Sequence, residues 1–456
     1  MVSFFIMKTP LVAIIGRPNV GKSTFFNTII GKNLSITDDE PGVTRDRIIE
    51  DAEWAGTRFQ LVDTGGIDFD EANAWAAHIR EQVDIAINLA DVIIFLTCGV
   101  SGVHPHDIDI ANLLRRAKKP VILAVNKLDN SERENTLYDF YNLKIGEPTG
   151  ISCTQRRGLG DLLDRVIDAT GRNPITDDAE IDRPSRIAIV GKPNAGKSSI
   201  INKLLGENRV MVSDIAGTTR DTVDTQIKHN GKSYILTDTA GIRRKRSIET
   251  QTIEHYSVLR ALASIRNSDV VVLVIDAAAA DTSTSDPVLS EQDVRLIGYA
   301  HEMGKPSLVV VNKWDLVEKD THTIVTFEKR ILRDLAFMPY FKSIYISALT
   351  GKRVGEVMNG VEFVLERANT RITTGTLNTL ITGFVGTTPP PMTGGKRPKF
   401  LYCTQVTSAP PTFALFVSDK SLVRSTYLRY LENCLRKSVD LTGTPIKFVL
   451  RNRSEK

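Results

Sequence analysis

Two series of nearly uninterrupted apolar runs set the plan of this chain. Leu11–Ile15, Phe59–Val62, Val92–Leu96 and Val121–Val125 form the first, and Arg186–Val190, Tyr234–Thr237, Val270–Ile275 and Ser307–Val311 echo it. Runs of four to six aliphatic and β-branched residues without polar alternation are what strands buried on both faces require. Separated by helical stretches, they predict an α/β architecture of two mostly parallel sheets with helices on both faces. After about residue 371 the pattern changes. Leu377–Ile381 predicts a short helix, and Phe400–Val406 and Phe413–Val417 predict two strands around a Pro410-Pro411 turn. Tyr427, Leu431, Cys434 and Leu435 form a helical stripe at i, i+4, i+7 and i+8, and Ile446–Leu450 predicts a last strand. The order α-β-β-α-β describes a small α+β domain.

The duplication is literal in the motifs. Gly16-Arg17-Pro18-Asn19-Val20-Gly21-Lys22-Ser23 returns 175 residues later as Gly191-Lys192-Pro193-Asn194-Ala195-Gly196-Lys197-Ser198. At the same offset, Pro41-Gly-Val-Thr44-Arg-Asp46 returns as Ala216-Gly-Thr-Thr219-Arg-Asp221, and Asp63-Thr64-Gly65-Gly66-Ile67 as Asp238-Thr239-Ala240-Gly241-Ile242. Asn126-Lys127-Leu128-Asp129 returns as Asn312-Lys313-Trp314-Asp315 at an offset of 186, and Ser152-Cys153 as Ser347-Ala348 at 195. The offset grows between motifs, where loops lengthen without disturbing a core; residues 278–290 read as one such insertion. The expected division is a tail at 1–8, a first domain at 9–171, a Pro-bounded acidic linker at 172–184, a second domain at 185–369 and the small domain at 370–456.

Each G-x-x-x-x-G-K-S string follows a strand. Its glycines let backbone N–H groups wrap phosphates at the positive end of the next helix. Lys22 and Lys197 are expected to reach the β- and γ-phosphates and act in catalysis, and Ser23 and Ser198 to bind Mg²⁺. The Asn-Lys-x-Asp motifs choose the base: the carboxylates of Asp129 and Asp315 can accept from guanine N1–H and the 2-amino group together, a donor pair that adenine lacks. Asn126, Asn312 and the stems of Lys127 and Lys313 are expected to pack around the ring. The backbone N–H of Cys153, at the place of Ala348, is expected to reach a guanine oxygen.

Asp63 and Asp238 end strands, where a carboxylate holds Mg²⁺ through water, and Gly66 and Gly241 free an N–H for the γ-phosphate. Thr44 and Thr219 lie in polar stretches suited to close on Mg²⁺ and γ-phosphate as catalytic switch residues, released once that phosphate is lost. Ile67 and Ile242 stand where many GTPases carry a water-positioning Gln. Neither can orient water, so slow unaided hydrolysis is expected. One strand-end difference has no account at this level: Thr97-Cys98 stands where the second copy has Asp276.

Composition changes this picture in three places. Of 58 Lys and Arg, 13 fall after residue 369 against 4 acidic residues there, so a basic C-terminal module sits on an acidic body and points to an anionic partner, nucleic acid first. The 4 cysteines are far apart with no C-x-x-C pair, which excludes a zinc knuckle or disulfide framework and suits a reducing cytosol. No apolar run reaches the 18 or so residues of a membrane helix. Met1–Met7 reads as a short tail or a misassigned start with Met7 as initiator. A cytoplasmic monomer without a membrane partner is expected.

Two G domains in tandem followed by a basic α-β-β-α-β module resemble the bacterial Der (EngA) GTPases. G-R-P-N-V-G-K-S, G-K-P-N-A-G-K-S, both T-R-D segments, Pro410-Pro411-Thr412-Phe413 and Tyr427-Leu-Arg-Tyr-Leu-Glu-Asn433 carry the resemblance from about Thr9 to Arg453. It implies tandem P-loop GTPase domains and a KH-like C-terminal domain packed against the second. It further implies a GTP-hydrolysing factor, with GTP, GDP and Mg²⁺, for assembly of the large ribosomal subunit on ribosomal RNA. Asn19 and Asn194 occupy the place where related GTPases coordinate K⁺ beside the phosphates; the other reading is that they stabilise the loop turn. The string Gly383-Phe384-Val385-Gly386 matches the KH clamp G-x-x-G, but its apolar interior marks it as a chance match, which leaves Lys396, Arg397 and Lys399 to bind phosphates. A nucleotide-responsive RNA-binding scaffold, with hydrolysis incidental, is the alternative reading.

Overall fold

The computed structural model describes residues 9–30, 49–55, 57–63, 83–129, 135–171, 184–206, 211–212, 225–237, 252–279 and 287–452. Thr44, Thr64, Gly65, Gly66, Ile67, Thr219, Asp238, Thr239, Ala240, Gly241 and Ile242 lie outside them, as do the 1–8 tail, nearly all of the 172–184 linker and most of the 278–290 insertion. The chain divides into two compact units, one built on the first sheet and the other holding the second and third sheets.

In the first unit, β1 (Leu11–Ile15), β3 (Thr57–Asp63), β4 (Val92–Cys98), β5 (Val121–Asn126) and β6 (Thr149–Gly150) run parallel, and β2 (Ile49–Trp54) runs antiparallel to β3. The sheet order is β2-β3-β1-β4-β5-β6. β1 and β4 are buried along their whole length, as their unbroken apolar sequences require. Val12, Ile14, Phe25, Phe26, Leu61, Leu96 and Leu162 share one core, which joins this sheet to helices Lys22–Ile30 and Leu159–Gly171.

The second sheet repeats the plan with β7 (Ser185–Val190), β9 (Thr225–His229), β10 (Lys232–Leu236), β11 (Val270–Asp276), β12 (Ser307–Asn312) and β13 (Lys342–Tyr345), and adds β8 (Met211–Val212) at the edge beyond β9. β7, β10, β11, β12 and β13 are parallel, while β9 and β8 continue antiparallel. Each of the eight apolar runs falls on a strand. The strands that pattern missed are the two-residue β6 and β8 and the longer β2, β9 and β13, which are polar or only partly buried; in β2 only Ala52 is buried.

The third sheet is β14 (Phe400–Thr407), β15 (Thr412–Val417) and β16 (Lys447–Asn452), with β14 and β15 antiparallel and β15 and β16 parallel. Helices Thr374–Thr387 and Ser425–Ser438 share a core with it through Leu377, Ile381, Phe413, Leu415, Tyr427, Leu431 and Leu435, while Cys434 is only half-buried. The first of these helices is longer than its Leu377–Ile381 nucleus and runs through Gly383-Phe384-Val385-Gly386. That string is therefore helical, with Phe384 and Val385 packed on the core, and it forms no clamp loop.

This domain docks on the second sheet around the turn at Gly443, and Pro410 and Lys447 also lie against Gly304. Gly443 accepts from the Ser307 amide (2.7 Å) and donates to the Tyr340 carbonyl (2.6 Å). Around it, the Arg436 guanidinium lies 3.8 Å over the Tyr340 ring and donates to the Leu441 and Thr444 carbonyls. Arg367 stacks on Phe363 at 3.7 Å and bonds Asp440 at 3.1 Å. Gly443 is required twice: its φ is +75°, and a Cβ there would strike Val364 and the Ser307 carbonyl. Gly394 has φ +58° but open space around its missing Cβ. Gly443→Ala should therefore cost about 1–3 kcal/mol more than Gly394→Ala, the packing part alone, measured by urea unfolding. Equal costs would mean that the turn is not tightly packed.

Candidate functional site

The P-loops form where β1 and β7 meet helices Lys22–Ile30 and Lys197–Gly206. Asn19 (φ +65°) and Gly21 (+99°) turn the first loop through left-handed backbone, and Asn194 (+64°) and Gly196 (+98°) turn the second. Such turns aim successive N–H groups into a concavity at the helix N-terminus, a seat for phosphate. Lys22, itself buried, curls into its loop and donates to the Gly16 (2.9 Å) and Arg17 (3.0 Å) carbonyls. Lys197 does the same to Gly191 (2.6 Å) and Lys192 (2.7 Å). Each ammonium thus stands inside its own loop.

Asn126 and Asn312 are 3% and 1% exposed, and both polar ends of each side chain bond the protein. Asn126 Nδ2 donates to the Val20 carbonyl of the P-loop (2.9 Å), and its Oδ1 accepts from the Cys153 amide (3.1 Å). Asn312 makes the same pair, to the Ala195 carbonyl (2.8 Å) and from the Ala348 amide (3.0 Å). In both copies the asparagine thus staples the P-loop to the Ser-Cys or Ser-Ala segment, and the Cys153 amide donates to Asn126. The staple also explains Gly21 and Gly196, since a Cβ at either would collide with the asparagine Nδ2. Burial pushes the Cys153 thiol up to about 12, against the Asn126 hydrogen bond, so it stays neutral and takes the place of Ala348 as a small apolar group.

Lys127 and Lys313 also adopt left-handed backbone (φ +67° and +58°), which places the following residue beside the second loop. The Leu128 amide donates to the Ile151 carbonyl and the Trp314 amide to the Ile346 carbonyl, both at 3.1 Å. Leu128 is buried and Trp314 packs against Phe327 and Tyr345, so these two residues anchor the motif. Asp129 Oδ1 accepts from the Ser152 hydroxyl (2.6 Å) and from the Thr154 hydroxyl (3.4 Å). Asp315 is exposed in the short turn Trp314–Leu316. P-loop, Asn-Lys-x-Asp and the Ser-Cys or Ser-Ala segment are thus brought together in both copies.

Ser23 Oγ donates to Asp63 Oδ2 at 3.0 Å, with Asp63 buried at the end of β3. A hydroxyl and a carboxylate side by side are the hard oxygen pair that Mg²⁺ takes beside phosphate oxygens and water. Ser198 stands at the matching helix start, while Asp238 lies outside the described residues.

One pair of functional residues escaped the sequence reading. Asp107 and Asp293, at N3 of helices Pro105–Leu114 and Glu291–Glu302, cap those helices and also hold the P-loops. Asp107 takes the Arg17 guanidinium at 3.4 Å, and Asp293 Oδ1 accepts the Lys192 backbone amide at 3.1 Å. Burial pushes the Asp107 carboxyl up, and its Oδ1 has no hydrogen-bond donor. The available signal was the repeat itself, for the two aspartates lie 186 residues apart, the offset of the Asn-Lys-x-Asp pair.

The comparisons agree with this geometry. The model of a 50S ribosome-binding GTPase matches residues 11–127 and again 186–313, and that of the KH-domain-like C-terminal region of EngA bacterial GTPases matches 371–451. GTPase Der of Clostridium botulinum (strain Okra / Type B1) is 48% identical over 450 residues, 99% of this chain and 100% of that protein. The chain belongs to the Der (EngA) GTPase family. Der of Agathobacter rectalis is likewise 48% identical, across 98% of this chain and 100% of its own. Among solved structures, Era of Aquifex aeolicus aligns with 55% of this chain at 21% identity and a TM-score of 0.30, so membership rests on the full-length relatives. As a Der-family member the chain is a GTPase with two G domains and a KH-like domain.

In this Der-family chain the staple should be testable one copy at a time. Asn126→Ala or Asn312→Ala strands a buried carbonyl and a buried amide, at about 1–3 kcal/mol per group. Thermal unfolding should fall for the altered G domain, and GDP titration should show one site weakened at least about tenfold, or about 1.4 kcal/mol. Two unchanged sites would show that the loops hold position without it.

Proposed function

We propose that this chain is a GTP-driven switch in assembly of the large ribosomal subunit, divided at 9–171, 185–369 and 370–456 into two G domains and a KH-like domain. The observation that carries the reading is the twice-repeated junction of phosphate loop and base loop, with a basic module docked directly on the second copy. Its relatives' family is described as 50S ribosome-binding, and Lys396, Arg397 and Lys399 are all exposed on the loop before β14. Basic residues presented together on one loop suit a phosphate backbone.

In this reading each P-loop holds the phosphates, Lys22 and Lys197 neutralise charge that develops on the γ-phosphate, and Asp129 and Asp315 select guanine. Ser23 with Asp63, and Ser198 with Asp238, would hold Mg²⁺, which would supply positive charge against the phosphates. Thr44 and Thr219 close on the γ-phosphate. Ile67 and Ile242 cannot orient water, so transition-state charge needs a further cation. We assign that role to K⁺ beside Asn19 and Asn194, whose left-handed turns put their side chains on the phosphate loop. The scaffold reading keeps one support, the same two isoleucines.

Two experiments test this. Hydrolysis of GTP by the full chain should rise several-fold when KCl replaces NaCl at equal ionic strength, and Lys22→Ala with Lys197→Ala should lower kcat/KM by about 10²–10³. Indifference to K⁺ would remove the cation from the mechanism. In sedimentation with large ribosomal subunits, binding should appear with a non-hydrolysable GTP analogue, weaken with GDP and fall with salt. Binding indifferent to nucleotide would favour the scaffold, and none in any state would remove the ribosome.

A further inference from the structure

The base-side loops of the two copies agree in their asparagine staples and in the left-handed backbone of Lys127 and Lys313. They differ in where the lysine goes. Lys127 Nζ crosses the site and donates to the Asn19 carbonyl at 2.7 Å, which bridges the Asn-Lys-x-Asp loop to the P-loop. Lys313 Nζ turns instead to Asp276 Oδ2 at 2.5 Å. The cause lies at the strand ends. Cys98 ends β4 opposite Asn126, and Asp276 ends β11 opposite Asn312 in the same register. The first copy thus offers the lysine a thiol where the second offers a carboxylate, and an ammonium prefers a full negative charge to a neutral carbonyl. Asp276 is also fixed in place, because its Oδ1 accepts the Ala278 amide at 3.0 Å.

We infer that Asp276 is a positioning residue that holds Lys313 off the P-loop, so the second G domain lacks the bridge that closes the first and releases GDP faster. The inference rests on the reading of both loop sets as guanine-nucleotide sites. A nucleotide seated between P-loop and base loop leaves when those walls part, and a charge-assisted bond across them resists that parting. The carboxylate follows the same division: Ser152 holds Asp129, while among the described residues Ser347 makes no such bond to Asp315.

The test follows release of mant-GDP from the full chain, chased with excess GDP in Mg²⁺. The unaltered chain should give two phases at least threefold apart. Asp276→Cys should slow only the fast phase, by threefold or more, and Cys98→Asp should speed only the slow one. Asp276→Asn keeps an acceptor for the Ala278 amide and serves if Asp276→Cys fails to fold. The decisive control is Lys313→Gln in the Asp276→Cys background, which should abolish the slowing; slowing that persists would mean a structural effect and overturn the inference. A single phase in the unaltered chain, or an unchanged or faster fast phase in Asp276→Cys, overturns it as well. Failure to bind mant-GDP at either site would instead overturn the nucleotide-site reading beneath it.

Discussion

Each G domain depends on one buried carboxamide. A primary amide donates from one atom and accepts at another on the same rigid plane, and Asn126 and Asn312 use both ends: the P-loop carbonyl takes the NH₂, and the amide of Cys153 or Ala348 fills the oxygen. Three segments far apart in sequence are held by two bonds that water cannot reach, which makes them costly to break. The constraint runs outward from there. Because Nδ2 stands where a Cβ would go, Gly21 and Gly196 must be glycine. Phosphate loop and base loop are therefore parts of one packed object, which is why they return together in the second copy.

The buried strands were legible because a parallel sheet covered on both faces leaves no polar alternation, so apolar runs mark them directly. The strands that escaped are those with little to bury, such as Ile49–Trp54 with only Ala52 inside. The motifs fixed which residues meet at the site, but not how they divide the work. Asn126 reads in sequence as a residue beside the base, and only the fold shows that both its polar ends are taken by the protein. Asp107 and Asp293 were hidden for another reason: an aspartate near a helix start is adequately explained as a cap, and its second bond, to the P-loop, spans 90 or more residues.

The docked KH-like domain meets the same framework from the far end. Ser307 opens β12 and bonds Gly443 of that domain, while Asn312 closes β12 and staples the P-loop. Six residues of a central strand, roughly 20 Å at the usual rise, separate the two contacts, and all six are buried. A strand paired on both sides does not stretch or bend independently of its neighbours. The basic module is therefore joined to the second sheet at the end of β12 opposite the Asn312 staple.

Two copies in one chain also show which interactions allow a change of partner. At the phosphate loop Asp107 takes a guanidinium from Arg17, whereas Asp293 takes a backbone amide from Lys192. A carboxylate accepts any N–H within reach, so the donor can change between copies while the loop stays anchored. The lysines Lys127 and Lys313 behave likewise from the other side: an ammonium donates to a carbonyl or a carboxylate, and the strand-end residue decides which. The carboxamide has no such latitude. It must present a donor and an acceptor in fixed opposition inside a dry junction, so a carboxylate would leave the Val20 or Ala195 carbonyl without a donor, and a hydroxyl is too short to span both loops. Single-function contacts have drifted between the two sites, and the two-function contact has stayed the same.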